Sequence, residues 1–485
     1  MESIQAAYDA ESFRDLGHRV VDMLADHLKA SLANQHSQSL PWHPPEEEVN
    51  FWEARLASGL GPESIFETLL QRSVRISDPK YLGHQICSPL PTSALAGFVS
   101  DFMNNGSGVY EMGMAGTAME RLVVGIVGNQ FGFPAECDGF MTSGGTLSNL
   151  TAMLAARAAA GHQDWKQGTN RKYCVLVSEQ AHYCIERAVR VMGWGEQGVV
   201  LVPTNARFQM CTERLPELYS SAIDSQLQPI AVVGSACSTS TGSFDDLEAI
   251  AQFCRERELW FHVDGAHGAA LAFSDNHRCV LQGIEQANSV TVDFHKMLMT
   301  PALSSALIFR DGNDSFRAFS TEADYLFSRE SGDLDQYNLA KRTFECTKTM
   351  LSAKIFTTLA VHGRELLAAN VDRLQSLTHQ FSELIKARSN FEIAVEPQTN
   401  IVCFRFIPPE LDSQSESPDA NRAVQEINRL NAAIRERLKS EGRYYIVQTI
   451  LHGETWLRTT VANPFTDESI FAGLLDEIER LGRKR

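Results

Sequence analysis

Three patterns of hydrophobic and polar positions follow one another along the chain. The first region, residues 1–79, contains an amphipathic helix over residues 12–30, whose apolar face needs a partner surface. From residue 80 to residue 363, short apolar runs alternate with helical stretches. Residues 364–485 contain a long helical stretch, then short strands and a closing helix. The sequence therefore predicts an N-terminal helical segment, a large domain and a small C-terminal α+β domain.

The apolar runs of the large region are hydrophobic on both faces, which is typical of a mainly parallel sheet buried between helix layers. The sequence therefore predicts an α/β fold for this region. The predicted strands are Cys174–Val177, Val199–Val202, Ile230–Val233, Trp260–Val263, Val290–Val292 and Ala306–Phe309. The small domain is predicted to contain strands Ile401–Phe406, Tyr445–Ile450 and Trp456–Ala462, and a last helix N-capped by Thr466.

Composition narrows the range of partners. Lys and Arg number 43 against 60 Asp and Glu, so the formal net charge is -17. This balance argues against a protein that binds nucleic acid or an anionic membrane by charge. The N-terminus lacks the features of a signal peptide, and the ten cysteines are scattered without a CxxC pair. We therefore expect a cytoplasmic protein with reduced thiols, no nucleic-acid or membrane partner and no metal site.

In an open α/β sheet, ligands bind beyond the carboxyl ends of the strands, so the residues that follow each strand are the candidates for chemistry. Asp264 follows the predicted strand Trp260–Val263. A carboxylate at this place can hold a protonated heteroaromatic nitrogen, or it can cap the next turn. The residues alone leave both roles open.

The segment His295-Lys296 follows the predicted strand Val290–Val292 and precedes the apolar run Met297-Leu298-Met299. A lysine in apolar surroundings is expected to have a lowered pKa, which favours the neutral amine that forms an imine with an aldehyde. Lys296 taken alone could equally be a surface lysine that extends its ammonium into water.

Two further strand ends complete the candidate set. His182 follows strand Cys174–Val177, where a neutral imidazole can stack on a flat ring and relay a proton, or can be an ordinary core histidine. The small residues Thr142-Ser143-Gly144-Gly145-Thr146 lead into a predicted helix and form a candidate anion site. No lysine follows them, so they are not a nucleotide-binding P-loop.

Together these segments supply one group for each part of pyridoxal 5'-phosphate. The glycine turn suits the phosphate, His182 the ring face, Asp264 the ring nitrogen and Lys296 the aldehyde. No GxGxxG motif follows a strand, which argues against a dinucleotide-dependent oxidoreductase.

At these residues the chain resembles the group II pyridoxal-phosphate-dependent amino acid decarboxylases, which include the glutamate, cysteine sulfinate, aromatic-L-amino-acid and 2,4-diaminobutyrate decarboxylases. The likeness is carried by Ser178-Glu179-Gln180-Ala181-His182, Glu186-Arg187-Ala188, His262-Val263-Asp264 and His295-Lys296. The resemblance implies fold type I, similar to aspartate aminotransferase, with a seven-stranded sheet. It also implies a homodimer with shared active sites, in which the N-terminal segment packs on the partner subunit.

The resemblance further implies a role for each cofactor-binding residue. Lys296 would form the internal aldimine with pyridoxal phosphate, and Asp264 would hold the ring nitrogen. His182 and Ala266 would contact the two ring faces, and Ser238 would lie near the ring. The residues that would contact the phosphate are Gly145, Thr146 and His295.

For the reaction itself, the resemblance implies that Tyr325, on a mobile loop, protonates the carbanion left by decarboxylation, and that Arg458 binds the substrate α-carboxylate. Without the resemblance, Tyr325 could be a packing residue and Arg458 part of a surface ion pair. His84 and Tyr110 are candidates for the wall of the substrate pocket. The family commonly has Asn-Pro before His-Lys, whereas this chain has Asp293-Phe294, and Asp293 is given no cofactor contact.

The sequence thus predicts decarboxylation of an L-amino acid to an amine and CO2. The presence of both Tyr325 and His182 favours this over an aldehyde synthase that uses oxygen. An aminotransferase and a catalytically inactive homologue are also compatible with the fold. The polar residues of the predicted pocket favour an aliphatic polar substrate, acidic (glutamate, aspartate or cysteine sulfinate) or diamino (2,4-diaminobutyrate), over an aromatic one.

Overall fold

The structure is a computed structural model that describes residues 2–161, 167–319, 336–411 and 420–483. The chain forms two compact units. The first comprises Met1–His84, Gln380–Ala394 and Cys403–Arg485, and the second comprises Gln85–His379 and Val395–Val402. The predicted boundaries after residues 79 and 363 stay a prediction.

The α-helices include the amphipathic helix predicted for residues 12–30, which extends over Ala10–Leu32. The α-helices of the described residues are α1 (Glu2–Ala7), α2 (Ala10–Leu32), α3 (Pro45–Ser58), α4 (Pro62–Arg72), α5 (Pro91–Met103), α6 (Met114–Gln130), α7 (Gly145–Ala160), α8 (Cys184–Val191), α9 (Leu215–Asp224), α10 (Leu247–Arg257), α11 (Ser352–Lys386), α12 (Ala420–Glu441) and α13 (Glu468–Arg483). Non-helical backbone at Gly363 kinks α11.

The strands form two sheets. They are β1 (Asp138–Thr142), β2 (Tyr173–Ser178), β3 (Val199–Val202), β4 (Gln228–Ser235), β5 (Trp260–Asp264), β6 (Ser289–Asp293), β7 (Ser305–Phe309), β8 (Phe391–Ile393), β9 (Ile401–Phe406), β10 (Val447–Leu451) and β11 (Glu454–Thr460). All nine predicted strands are therefore present, with small shifts at their ends, and β1 and β8 are additional.

The second unit is built on a seven-stranded sheet with the order β1-β7-β6-β5-β4-β2-β3. β7 runs antiparallel to both of its neighbours, and the other pairings are parallel. Every residue of β2, β5 and β6 is buried, as expected for strands that are apolar on both faces and covered by helices. The predicted mainly parallel α/β sheet is confirmed.

The first unit contains a four-stranded sheet with the order β10-β11-β9-β8. Its closing helix α13 differs from the prediction at its start. Asp467 Oδ1 accepts a hydrogen bond of 3.1 Å from the N–H of Ile470, whereas the Thr466 hydroxyl donates to the carbonyl of Pro79 at 2.9 Å. The prediction that Thr466 caps this helix is wrong, because its hydroxyl is engaged elsewhere and Asp467 satisfies the first turn.

Across the part of the chain that the structure describes, no helix is both long enough and apolar enough to cross a membrane.

Candidate active site

The second unit contains a cavity of about 600 Å³ beside the carboxyl ends of β5 and β6. This is where an open α/β sheet places its ligands. The predicted residues that line it come from four separate chain segments. They are Gly145, Thr146, His182, Asp264, Ala266, His295 and Lys296.

Asp264 is the last residue of β5 and is 9% exposed. The N–H of Ala266 donates to its Oδ1 at 3.3 Å. The thiol of Cys184, the first residue of α8, lies 4.0 Å from its Oδ2. The carboxylate is therefore held from two sides while it lines the cavity.

Lys296 forms an ion pair with Asp293, whose Oδ2 lies 2.9 Å from the Lys296 Nζ. Burial acts to lower the pKa of Lys296, but the charge and hydrogen bond of Asp293, together with the charge of Asp264, outweigh it, so the pKa is raised. The prediction of a lowered pKa for this lysine is therefore wrong, because it took no account of the carboxylate three residues earlier in the chain. Asp293 also accepts a hydrogen bond from the Ser305 hydroxyl and lies 3.7 Å from His295 Nε2.

His182 lies between the end of β2 and the start of α8. The backbone N–H of Cys184 donates to its Nδ1 at 3.3 Å, so the neutral ring carries its proton on Nε2. Burial lowers the pKa of His182, and the nearby charge of Lys296 lowers it further, against the opposing effect of Asp264. The imidazole is therefore neutral near pH 7, the state considered for the predicted stacking on a flat ring.

One end of the cavity is formed by the start of α7. Helix geometry leaves the N–H groups of Gly145 and Thr146 without an acceptor inside the helix, and these groups attract an anion. A Cβ atom at Gly145 would lie 3.0 Å from Asp293 Oδ1 and 3.3 Å from the Cβ of Ala266, so a larger residue would crowd the cavity. Anion donors, a neutral imidazole, a carboxylate and an amine in one cavity fit pyridoxal phosphate.

Three predicted residues, besides His84 and Arg458 of the first unit, are not among those that line this cavity. The Ser238 hydroxyl lies 2.7 Å from that of Thr241, and the next residue, Thr239, lines the cavity instead. Tyr110 starts a short 3₁₀ helix, and its ring lies 5.6 Å from that of Tyr337. Tyr325 lies outside the described residues. The roles of all three stay predictions.

The first unit contains the remaining two predicted substrate-binding residues. Arg458 is 7% exposed and lies opposite Val447 in the β10–β11 pair. The His84 ring lies 5.8 Å from the ring of Tyr445. Removal of water by the surrounding side chains lowers the pKa of His84, and the charges of Arg458 and Arg435 lower it further. His84 and Arg458 therefore interact electrostatically, and His84 is neutral near pH 7.

Sequence reasoning missed several residues of the second unit's cavity. Asp293 was assigned no cofactor contact, and the structure places it in the lining of the cavity as the ion-pair partner of Lys296. Asn149, Cys184 and Arg187 also line the cavity. The position of Cys184, two residues after His182, is a local signal that could have identified it, whereas Asn149 becomes visible only once α7 is packed on the sheet.

The chain is similar in sequence to a known protein family and to several of its members. Residues 68–407 match the family model described as the pyridoxal-dependent decarboxylase conserved domain. The cysteine sulfinic acid decarboxylase of Mus musculus is 31% identical over 453 residues, which cover 91% of this chain and 90% of the mouse protein. The L-2,4-diaminobutyrate decarboxylase of Rhizobium meliloti (strain 1021) is 30% identical over 417 residues, which cover 86% of this chain and 80% of that protein.

Among solved structures, the crystal structure of mouse CSAD superposes with a TM-score of 0.90 at 28% sequence identity, and the match covers 98% of this chain and 99% of that chain. The fold is therefore fold type I, as predicted. The two curated relatives are amino acid decarboxylases, which fits the predicted decarboxylation and not an aldehyde synthase, an aminotransferase or an inactive homologue. The chain belongs to the pyridoxal-dependent decarboxylase family and is a carboxy-lyase that uses pyridoxal phosphate and acts on an amino acid.

Proposed function

We propose that the cavity of the second unit holds pyridoxal phosphate through the residues that the sequence predicts. Lys296 carries the cofactor covalently and Asp264 binds the ring nitrogen. His182 and Ala266 contact the two ring faces. Gly145, Thr146 and His295 hold the phosphate, with Ser238 near the ring. The observation that supports this most strongly is that Lys296, Asp264, His182 and the start of α7 all line one cavity.

Each side chain then has a defined task. When bound, the cofactor accepts the electron pair that is released as the bond between Cα and the carboxylate breaks. Asp264 keeps the ring nitrogen protonated, because a carboxylate stabilises an adjacent positive charge. His182, neutral with its proton on Nε2, can deliver a proton to Cα, and Tyr325 is the second candidate for that step. Asp293 holds the Lys296 ammonium whenever the lysine is free.

We propose that the substrate is an L-amino acid with a short acidic side chain, with a diamino acid as the second candidate. Arg458 would bind the α-carboxylate, and His84 and Tyr110 would form part of the pocket wall. Arg187 lines the cavity, with its guanidinium carbon 4.6 Å from the centre of the Tyr183 ring. This cation favours an anionic side chain over a second ammonium group. The diamino candidate rests on the similarity to the diaminobutyrate decarboxylase.

A direct test measures CO2 release from cysteine sulfinate, glutamate, aspartate, 2,4-diaminobutyrate, ornithine and the aromatic amino acids. We expect the highest kcat/KM with an acidic amino acid, and Arg187→Gln should lower that value by roughly tenfold with little effect on a diamino acid. Arg190→Gln is the matched control, because Arg190 on the same helix pairs with Glu186 and is not among the residues that line the cavity. Preference for a diamino or aromatic substrate would contradict the acidic assignment.

We propose that the protein works as a homodimer whose interface includes α5. Leu95, Val99 and Met103 recur every four residues on this helix and are 51%, 59% and 56% exposed. Such a row forms one apolar helix face, which is costly to leave in water. A second copy of the chain is the occupant that the family resemblance implies. Light scattering should give twice the mass of the chain, and Val99→Glu should shift the protein toward the monomer, whereas an unchanged dimer would place the interface elsewhere.

We propose a cytoplasmic location on the basis of the cysteines. All ten are free thiols, and most are buried, as expected for a protein of a reducing compartment. Titration of the denatured protein without reductant should find ten thiols, and a smaller number would indicate disulfide formation and an oxidising compartment.

A further inference from the structure

A row of buried side chains with polar groups runs from Trp260 through His262 to Asp264. Trp260, His262 and Asp264 alternate along β5 and therefore project from the same face of the strand. His262 is completely buried and Trp260 is 7% exposed. Buried polar groups need hydrogen-bond partners, and these side chains find them in residues of α7, α8 and β6.

The first half of the row runs from Trp260 to His262. The Trp260 Nε1 lies 3.0 Å from the Ser289 Oγ, and this Oγ lies 2.8 Å from His262 Nδ1. An indole N–H can only donate, so the serine oxygen accepts from Trp260, and its own proton can be donated to His262 Nδ1 when the ring carries its proton on Nε2. Burial lowers the pKa of His262 to about 4, so the ring is neutral and carries one proton.

The second half of the row runs from His262 to Asp264. The His262 Nε2 lies 2.9 Å from Asn149 Oδ1, the Asn149 Nδ2 lies 3.1 Å from Cys184 Sγ, and this sulfur lies 4.0 Å from Asp264 Oδ2. Burial raises the pKa of Cys184 to about 12, with a further contribution from Asp264, so the thiol keeps its proton. A thiol can donate and a carboxylate can only accept.

All of these hydrogen bonds can be oriented in the same way, so that each donor in the row donates to the next group nearer to Asp264. His262 Nδ1 also lies 3.1 Å from the Ser289 carbonyl oxygen, which could accept a proton from Nδ1. The hydrogen bonds could therefore also be oriented in the opposite way, away from Asp264. In that opposite arrangement Asn149 would donate to His262, and the thiol proton would be directed to Asn149 and away from Asp264. The carboxylate at the end of the row favours the direction toward Asp264, because its negative charge stabilises each donor that points to it.

We propose that Cys184, Asn149 and His262 form a positioning relay that orients Asp264 toward the cofactor ring nitrogen. This inference rests on the proposed assignment of Asp264 to that nitrogen. The relay fixes one carboxylate oxygen through Cys184, while the Ala266 N–H holds the other. It also ties together the start of the phosphate-binding helix α7, the start of α8 beside His182, and the end of β5. The groups that meet the phosphate, the ring face and the ring nitrogen are therefore set in place by one buried network.

The test compares Cys184→Ala with Cys184→Ser, and uses Cys174→Ala as a matched control. Cys174 is also a completely buried thiol whose pKa is raised to about 12 by burial, but it lies on β2 and is not part of the relay. The readouts are the dissociation constant for pyridoxal phosphate, from titration of the cofactor-free protein, and the midpoint pH of the change in the visible absorbance of the cofactor-loaded protein.

We expect Cys184→Ala to weaken cofactor binding by about three- to tenfold, the size of one ordinary hydrogen bond, because the thiol is a weak donor and its contact with Asp264 is long. It should also shift the absorbance midpoint, which a loss of packing alone would leave in place. Cys184→Ser should restore both values to within about twofold, because a hydroxyl is the better donor. Asn149→Ala should resemble Cys184→Ala, whereas Cys174→Ala should match the unmodified protein. Thermal unfolding of each variant checks that it is folded.

Asp264→Asn separates failure of the relay from failure of the assignment on which it rests. If Asp264→Asn leaves both readouts unchanged, the ring-nitrogen role of Asp264 is wrong. If Asp264→Asn changes both readouts while Cys184→Ala, Asn149→Ala and Cys174→Ala all match the unmodified protein, the relay is overturned and the role of Asp264 stands.

Discussion

The second unit contains two lysines that pair with buried carboxylates, and the lysines differ in their surroundings. Lys296 Nζ lies 2.9 Å from Asp293, and Lys348 Nζ lies 2.5 Å from Glu120. Lys348 also donates to the Met141 carbonyl at 2.6 Å, and its side chain is 3% exposed. The side chain of Lys296 is 18% exposed and lines the cavity.

The two lysines also differ in the direction of their pKa shifts. Burial lowers the pKa of Lys348 despite the opposing effect of Glu120. For Lys296 burial acts in the same direction, but Asp293 and Asp264 together outweigh it and the pKa is raised. A buried ion pair is therefore no sign of chemistry by itself, since a shifted pKa accompanies structural pairs as well. What distinguishes Lys296 is that its amine faces a space large enough for a cofactor.

The largest effect is expected from Lys296→Ala. Turnover should fall by about a thousandfold or more, because no other amine lines the cavity among the described residues. The thermal unfolding midpoint should change by only a few degrees, since His295 and Ser305 remain as partners of Asp293. Turnover within tenfold of the unmodified enzyme would remove the distinction between the two lysines.

Lys348→Ala should have the opposite effects, with a large loss of stability and little direct effect on turnover. It leaves Glu120 buried without its cation, which costs on the order of 3–5 kcal/mol of the free energy of unfolding. Urea denaturation measures this loss. Combined replacement with Lys348→Met and Glu120→Leu should recover most of the stability, because no uncompensated charge is left in the core. A stable, inactive Lys348→Ala enzyme would instead assign a catalytic role to this pair.

The same contrast applies to two histidines. His262 is sealed in the core with a pKa of about 4, whereas His182 lines the cavity. In the unfolded chain a histidine titrates near pH 6.5, so the unfolded state binds more protons between pH 6.5 and 4. Stability should therefore decrease as the pH falls through this window, by up to about 3 kcal/mol from His262. His262→Gln should lose this part of the pH dependence, as measured by urea denaturation at several pH values. An identical pH dependence in both proteins would contradict the burial of a neutral His262.

A smaller effect is expected from Asp293→Asn. Without this carboxylate, burial lowers the pKa of Lys296 against only the smaller opposing effect of Asp264, so more of the amine is neutral at pH 7. Cofactor capture by the cofactor-free protein should become about tenfold faster at pH 7, and stopped-flow absorbance measures this rate. Glu120→Gln is the control and should leave the capture rate unchanged. Slower capture by Asp293→Asn would contradict the proposed effect on Lys296.

The strands and the residues at their ends could be predicted because they follow local rules. Runs that are apolar on both faces predicted β2 and β5, and the rule that ligands bind beyond strand ends identified Asp264 and Lys296. β1 was missed because Asp138-Gly139 has the composition of a turn. In the structure, a Cβ atom at Gly139 would lie 2.1 Å from the carbonyl oxygen of Leu307, so glycine permits the close pairing with β7.

Contacts between distant segments could not be predicted. The pairing of His262 with Asn149 spans 113 positions, and that of Cys184 with Asp264 spans 80. No periodicity connects such residues, so the relay becomes visible only after the sheet and its helices are assembled. The effect of Asp293 on Lys296 was missed for a different reason, because the prediction considered burial and left out the charge three residues away.

The lysine that carries the cofactor can be identified chemically, and this experiment decides between Lys296 and Lys348. Borohydride reduction of the cofactor-loaded enzyme fixes the cofactor to its lysine, and peptide mass spectrometry then locates the added mass. We expect one modified peptide, which contains Lys296. Modification of Lys348, or of a lysine outside the cavity, would contradict the assignment of Lys296 as the residue that binds the cofactor.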